Sequence, residues 1–186
     1  MKSRDLAYIA LFAAITAALG LIPPVYLSAV PITAQTLGVM LAGSVLGARR
    51  GALSMLTFLA VVAAGVPVLS GGRGGLQWFA SPSAGYLYSW PIAAFVIGVI
   101  TQLTWRRFNL AWALVANLVG GVAVIYAIGI PFVAVYSDAS VGDAAVSAGA
   151  FIPWDAVKAV AASVVAVAVR RAYPVIEVPV RRPAAG

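Results

Sequence analysis

The sequence predicts an all-α integral membrane protein with six transmembrane helices and both termini in the cytoplasm. Only 9% of the 186 residues are charged and 63% are hydrophobic, whereas soluble domains usually carry about 25% charged residues. The apolar residues form six stretches that are separated by turn-forming or basic residues. Most of the basic residues fall at every second junction, which is the pattern of the positive-inside rule.

Each apolar stretch is interpreted as one membrane crossing within a single membrane domain that covers residues 1–186. A bilayer core requires roughly 20 apolar residues per helix, so the second stretch is short and the fifth is long. Pro23-Pro24 closes the first stretch and Arg49-Arg50 separates the second from the third. The stretches cover residues 6–22, 33–47, 51–69, 85–104, 110–136 and 154–169, and a cytoplasmic basic tail covers 172–186.

The basic residues indicate both the orientation and a binding site. With each stretch crossing once, ten of the twelve basic residues lie in the cytoplasm, which explains the net charge of +7 without nucleic acid. Arg73 and Lys158 are the exceptions, and both fall in the outer half. Asp155 shares one helix face with Lys158. These three formal charges sum to +1, which suits a monoanionic ligand. The ten cytoplasmic residues are Lys2, Arg4, Arg49, Arg50, Arg106, Arg107, Arg170, Arg171, Arg181 and Arg182.

Two absences restrict the chemistry. The chain has no His and no Cys, which excludes thiolate and imidazole metal ligands, Cys- or His-based nucleophiles, and disulfides. It also lacks the GxxxxGK[S/T] phosphate loop. We therefore expect no catalytic residue, no metal and no cofactor, and another chain would have to bind any ATP.

The sixth stretch begins with Phe-Ile-Pro-Trp-Asp-Ala-Val-Lys at 151–158. Pro153 favours a helix start there, and the free N–H groups of a first turn attract negative charge. Asp155 could accept N–H bonds from a ligand, and Lys158 could hold a carboxylate. Alternatively, Asp155 offsets the helix dipole and Lys158 extends to lipid headgroups. Burial of both side chains would exclude that alternative.

The connection between the third and fourth stretches places four glycines around Arg73. Such a loop lets the backbone approach a ligand closely, and a guanidinium can bind a carboxylate bidentately. We expect this loop to fold into the outer opening of the helix bundle. Trp78 and Tyr86 could form the wall of an apolar site or belong to an interfacial aromatic belt.

Two amides and a run of alanines complete the candidates. Gln35 requires a partner if it is buried, and both a structural and a ligand role stay open for it. Asn117 is interpreted as an interhelical hydrogen-bonding residue. Small residues at four-residue spacing in the first stretch let another helix approach closely, either an internal helix or a separate subunit. They are Ala10, Ala13, Ala14, Ala17 and Ala18.

Five ordered motifs resemble the BioY family, the biotin-specific substrate-binding components of energy-coupling factor (ECF) transporters. They read VPITAQTLG at 30–38, LAGSVLGARRGALS at 41–54, GVPVLSGGRGGL at 65–76, SPSAGYL at 81–87, and FIPWDAVK at 151–158. The resemblance implies a multi-pass protein of the bacterial cytoplasmic membrane, surrounded by lipid, that binds biotin from outside. It implies docking through the alanine stripe onto a transmembrane coupling protein carried by two ATPase subunits, and it leaves a homo-oligomer open.

The resemblance also implies roles for individual residues. Asp155, Lys158 and the loop position of Arg73 match ligand contacts of the family. Some members carry Asn at position 73 and Arg at position 87, where this chain has Leu87, so we expect the carboxylate-binding Arg to have moved to position 73. Biotin would place its ureido N–H groups at Asp155 and its carboxylate at Lys158 and Arg73. Its apolar ring would lie against Trp78, Tyr86 and Leu76.

Three other functions stay open. The same architecture could bind a different small anionic vitamin. Asp155 and Lys158 could instead act as acid and base of an intramembrane enzyme. The chain could also be an assembly protein without a ligand, in which case neither Arg73 nor Lys158 would matter for function.

Overall fold

The computed structural model describes residues 2–26 and 30–176, and these residues fold into a bundle of seven α-helices. The part described contains only isolated β-bridges and no strand. Six helices correspond to the six predicted stretches, which confirms the all-helical fold class. The helices are α1 Ser3–Leu19, α2 Gln35–Leu46, α3 Ala48–Ala63, α4 Ala84–Leu103, α5 Leu110–Tyr136, α6 Val141–Gly149 and α7 Ile152–Ala172.

Helix α3 ends six residues before the predicted boundary at residue 69. Gly65 has φ of 96°, a left-handed conformation that glycine adopts without a steric penalty. The N–H of Val66 then donates to the carbonyl of Val61 over 3.3 Å, which closes the helix. Residues 64–69 therefore belong to the loop, and Leu69 becomes part of the wall of a cavity.

Helix α5 is continuous but irregular, and helix α6 was not predicted. Residues Val119–Val124 of α5 adopt π-helical geometry, and this widened turn contains Gly120 and Gly121. Both glycines are buried against neighbouring side chains, those of Ile97 and Met40 respectively. The short helix α6 begins after Ser140, whose hydroxyl oxygen accepts a hydrogen bond from the N–H of Asp143.

Among the described residues, α4, α5 and α7 are long and apolar enough to cross a membrane. Helix α2 is apolar but has only 12 residues. Helices α1 and α3 have 17 and 16 residues. These findings, taken together, describe a helical membrane protein.

The basic junctions meet at one end of the bundle. Arg50, at the start of α3, contacts the carboxylate of Asp5 at 3.3 Å and donates to the carbonyl of Val175 at 3.1 Å. Arg170, near the end of α7, donates to the carbonyls of Trp105 and Phe108 in the connection between α4 and α5. Arg181 and Arg182, with the rest of the predicted tail beyond residue 176, lie outside the described residues.

Asn117 joins three helices within the bundle core, as the sequence predicts. Its side-chain oxygen accepts a hydrogen bond from Ser44 of α2 at 2.9 Å. Its amide nitrogen donates to Ser163 of α7 at 3.0 Å. All three side chains are buried, so the network satisfies polar groups that lipid could not.

Candidate functional site

A cavity of about 630 Å³, measured to its open mouth, lies at the end of the bundle opposite the basic junctions. Residues of α2, α4, α5 and α7 line it, together with the segment before α2 and the loop between α3 and α4. Six of the seven predicted ligand contacts line it: Gln35, Arg73, Trp78, Tyr86, Asp155 and Lys158.

Asp155 and Lys158 form a buried ion pair in this cavity. Helix α7 begins at Ile152, so both residues lie in its first two turns and face α2 and α5. The ammonium nitrogen of Lys158 is 2.8 Å from Oδ1 of Asp155, and the two side chains are only 13% and 7% exposed. This burial excludes the alternative in which Lys158 extends to lipid headgroups.

Two hydroxyl groups complete the environment of the ion pair. Tyr126 of α5 donates to Oδ2 of Asp155 at 2.7 Å. Thr36 of α2 accepts a hydrogen bond from Lys158 at 3.0 Å and donates to Oδ1 of Asp155 at 3.4 Å. Both carboxylate oxygens are thus hydrogen-bonded, while one of the three N–H groups of Lys158 has no acceptor within residues 2–26 and 30–176 and can bind another group.

The loop between α3 and α4 is ordered around Arg73. Leu69 and Arg73 pair through two backbone hydrogen bonds of 2.9 and 3.1 Å. Gly71 and Gly72 allow this tight turn because both have positive φ, 82° and 70°. The loop therefore folds over the bundle and contributes Leu69 and Arg73 to the cavity wall.

The guanidinium of Arg73 is held from two sides. Its Nε–H donates to the carbonyl of Ser70 at 2.7 Å, and its central carbon lies 4.5 Å from the centre of the Trp78 ring. No carboxylate pairs with it among residues 2–26 and 30–176. Its two terminal nitrogens therefore remain available to an anion.

Aromatic side chains form most of the apolar wall. Tyr86 packs edge-on against Tyr126 and Phe151, with ring centres 6.5 and 6.3 Å apart. Trp90 follows Tyr86 by about one turn of α4 and also lines the cavity. Leu87 lines the same cavity as Arg73, so positions 73 and 87 share one site.

Gln35 lines the cavity, but its amide is occupied by the protein. Its nitrogen donates to the carbonyls of Thr16 and Val68 at 3.1 and 3.0 Å. Its oxygen accepts the N–H of Ser70 at 2.9 Å. Gln35 therefore joins α1, α2 and the loop that carries Arg73, and the structure favours the structural role of the two that the sequence left open.

Two predicted residues lie elsewhere. Leu76, the first residue of the short 3-10 helix Leu76–Ala80, is 69% exposed and is absent from the cavity wall. Leu69 lines the cavity in place of Leu76. Ala13 is buried in the bundle core, so it cannot belong to an exposed docking face.

The other four alanines of the stripe differ in how far they are exposed. Ala10, Ala14 and Ala18 are exposed along one side of α1. Ala17 is partly buried and packs against the core. The exposed part is thus a narrow strip of three alanines at four-residue spacing, which a second helix could approach closely.

Comparison with known proteins agrees with this fold. The sequence model of the BioY family matches residues 1–175. The biotin transporter BioY of Rhizobium etli is 49% identical over 183 residues, covering 95% of this chain and 98% of that protein. The biotin transporter BioY of Rhodobacter capsulatus is 46% identical over 174 residues, covering 88% of this chain and 91% of that protein.

A solved structure supports the same relationship. The crystal structure of the S-component for biotin from an ECF-type ABC transporter superposes with a TM-score of 0.87 at 31% identity. The match covers 92% of this chain and 95% of that one. On sequence and structure together, this chain belongs to the BioY family, whose members are transporter components and not enzymes.

Proposed function

We propose that this chain binds biotin as the substrate-specific S component of an ECF-type transporter in the bacterial cytoplasmic membrane. One observation carries the proposal: a guanidinium that has no carboxylate partner among the described residues and a buried Asp–Lys pair line the same aromatic-walled cavity. The relatives named biotin transporter and the similar biotin S-component agree with it.

The ligand's chemistry matches the groups that the cavity leaves free. Biotin carries one carboxylate, whose two oxygens can accept hydrogen bonds from both terminal nitrogens of Arg73. Its ureido group offers two N–H donors for the remaining lone pairs of Asp155, and one carbonyl oxygen for a donor such as the free N–H of Lys158. Its apolar ring fits between Tyr86 and Trp78. We assign the chain no cofactor, and its partner subunits bind the ATP.

Isothermal titration of the detergent-purified chain tests this proposal. We expect biotin to bind, and Arg73→Gln to weaken binding by about ten- to 150-fold, since a hydrogen bond to a charged group contributes about 1.5–3 kcal/mol. The control Arg49→Gln removes an exposed cation outside the cavity and should bind as the unaltered chain does. Absence of biotin binding to the unaltered chain would contradict the proposal. Competition with other anionic vitamins separates biotin from the alternative ligands.

We further propose that Ala10, Ala14 and Ala18 form the face that docks on the coupling protein. Their exposure and spacing on α1 support this assignment. Ala14→Arg should abolish uptake by the assembled transporter and leave biotin binding to the isolated chain unchanged. If uptake continues, or if binding fails along with uptake, the docking assignment is incorrect. The oligomeric state of the chain itself stays a prediction.

The proposed topology has six crossings and cytoplasmic ends, and the absence of native Cys makes it directly testable. A membrane-impermeant thiol reagent should label Asp138→Cys in intact cells. Arg107→Cys should be labelled only after the cells are opened. The reverse pattern would contradict the assigned orientation.

A further inference from the structure

Gln35 belongs to a chain of hydrogen bonds that ends at the guanidinium of Arg73. The side-chain oxygen of Gln35 accepts a hydrogen bond from the backbone N–H of Ser70 at 2.9 Å. The backbone carbonyl of the same Ser70 accepts a hydrogen bond from Nε of Arg73 at 2.7 Å. A single residue of the loop between α3 and α4 therefore links the amide of Gln35 to a charged group of the cavity.

This chain of hydrogen bonds is buried and anchored to the first helix. Gln35 is only 1% exposed, and its amide nitrogen donates to the carbonyls of Thr16 in α1 and Val68 in the loop. Ser70 is 0% exposed, and its hydroxyl group donates to the carbonyl of Ile22, just after α1, at 3.0 Å. Because both N–H groups and the oxygen of its amide are bonded to the protein, Gln35 can act on a ligand only indirectly.

The hydrogen bond to Nε controls how the guanidinium faces the cavity. Arg73 stacks on the ring of Trp78, and such stacking fixes the plane of a guanidinium but not its rotation within that plane. The bond from Nε to Ser70 removes this remaining freedom. The two terminal nitrogens, which have no partner in the described parts of the chain, then form an edge that can bind a carboxylate bidentately.

We propose that Gln35 is a positioning residue for the carboxylate of the ligand, because it holds Ser70 and thereby the guanidinium of Arg73 in the orientation that binds this group. Without the amide of Gln35, the N–H of Ser70 loses its acceptor and the loop loses its bond to α2. Arg73 must then be ordered when the ligand binds, which lowers affinity. This inference rests on the proposed function, in which Arg73 binds the carboxylate of biotin.

A double-mutant cycle tests whether Gln35 acts through Arg73. In isothermal titration of the detergent-purified chain, Gln35→Met should weaken biotin binding about two- to tenfold, the effect of one lost hydrogen bond. In the Arg73→Gln background, the same substitution should cause almost no further loss, because the group that it positions is absent. An equal fold-loss in both backgrounds, or an undiminished affinity in Gln35→Met alone, would overturn the proposal.

Biotinamide, which lacks the carboxylate, provides a second readout. Gln35→Met should leave the affinity for biotinamide unchanged, and an equal loss for both ligands would overturn the proposed role. The matched control is Asn117→Leu, which removes another buried amide, one that is bonded to Ser44 and Ser163 outside the cavity. This control should change both affinities by the same factor. A loss selective for biotin in Asn117→Leu would show a general effect of core damage and would also overturn the proposal.

A milder variant serves if Gln35→Met does not fold. Gln35→Asn keeps a neutral amide but is one carbon shorter, so it cannot bond to α1 and to Ser70 at once. Its loss of biotin affinity should again depend on the presence of Arg73, and independence from Arg73 would contradict the positioning role. If the unaltered chain binds biotin but the cycle is additive, the role of Gln35 alone is overturned. An unaltered chain that binds no biotin would overturn this role and the proposed function together.

Discussion

Replacing Lys158 by Met should destabilise the protein strongly, because it leaves a buried carboxylate without its counter-charge. In the unaltered chain, the ammonium lies 2.8 Å from Asp155, and the carboxylate side chain is 7% exposed. Thr36 and Tyr126 would still donate to the carboxylate, but neither carries a charge. Breaking a buried ion pair in this way costs about 3–5 kcal/mol.

Thermal unfolding of the purified protein measures this effect. For a chain of 186 residues, a cost of about 3–5 kcal/mol corresponds to a fall in Tm of about 6–20 °C. The control Arg49→Met removes an exposed cation and should leave Tm unchanged. The same samples, titrated with biotin, should show that Lys158→Met has also lost most of its affinity.

The double variant Asp155→Asn with Lys158→Met separates stability from binding. It removes both charges, so no uncompensated carboxylate remains, and Tm should recover most of the loss. Biotin binding should not recover, because the site has lost both the carboxylate of Asp155 and the ammonium of Lys158. An unchanged Tm in Lys158→Met would refute the reasoning on burial. Restored biotin binding in the double variant would refute the role of the pair in the site.

Two further substitutions test the site and the packing. Tyr126→Phe removes the hydroxyl donor to Asp155. It should lower the free energy of unfolding by about 1.5–3 kcal/mol, and it should lower Tm and biotin affinity as well. Unchanged values in thermal unfolding and titration would contradict this. Gly98→Ala should destabilise the bundle by about 1–3 kcal/mol, because its new methyl group would clash with the backbone nitrogen of Ala48. Gly149→Ala, which meets no atom within 4 Å, is the matched control, and an equal Tm for both would disprove the close approach.

The helices could be predicted because their signal is local. Apolar runs interrupted by basic pairs and prolines predicted six of the seven helices. Helix α6 was missed because it is short and not strongly apolar. Its start carries a readable signal, however: Ser140 and Asp143 bond each other, as in the S-x-x-D pattern of helix N-termini.

The ionic part of the site was predictable for a different reason. A charge is costly within a membrane protein's apolar interior, so Arg73 and Lys158 stood out as exceptions to the topology rule, and Asp155 stood out because it shares a helix face with Lys158. Tyr126 could not stand out, because it lies in the longest apolar run, where a tyrosine is expected to be a packing residue. Only the approach of α5 to α7 reveals that its hydroxyl group meets Asp155.

The roles of neighbouring residues depend on helix register. Gln35 and Thr36 are adjacent at the start of α2, and of the two only Gln35 was a candidate ligand contact. The helix directs Gln35 towards α1 and the loop, whereas it directs Thr36 towards the ion pair. Similarly, the turn at Gly71 and Gly72 brings Leu69, and not Leu76, to the cavity. Such directions depend on backbone geometry that a linear pattern does not contain.

The polar groups of the cavity are better explained by a ligand than by the stability of the empty protein. A buried ion pair is often no more stabilising than apolar residues of similar volume. The terminal nitrogens of Arg73 have no counter-charge in the part of the chain that the structure describes. An acceptor-rich anion would satisfy these groups at once. Its binding should therefore raise the free energy of unfolding with the logarithm of the ligand concentration, by about 2.7 kcal/mol at 100 times Kd. Tm should rise accordingly, and apolar replacements that stabilise the empty chain should abolish this gain.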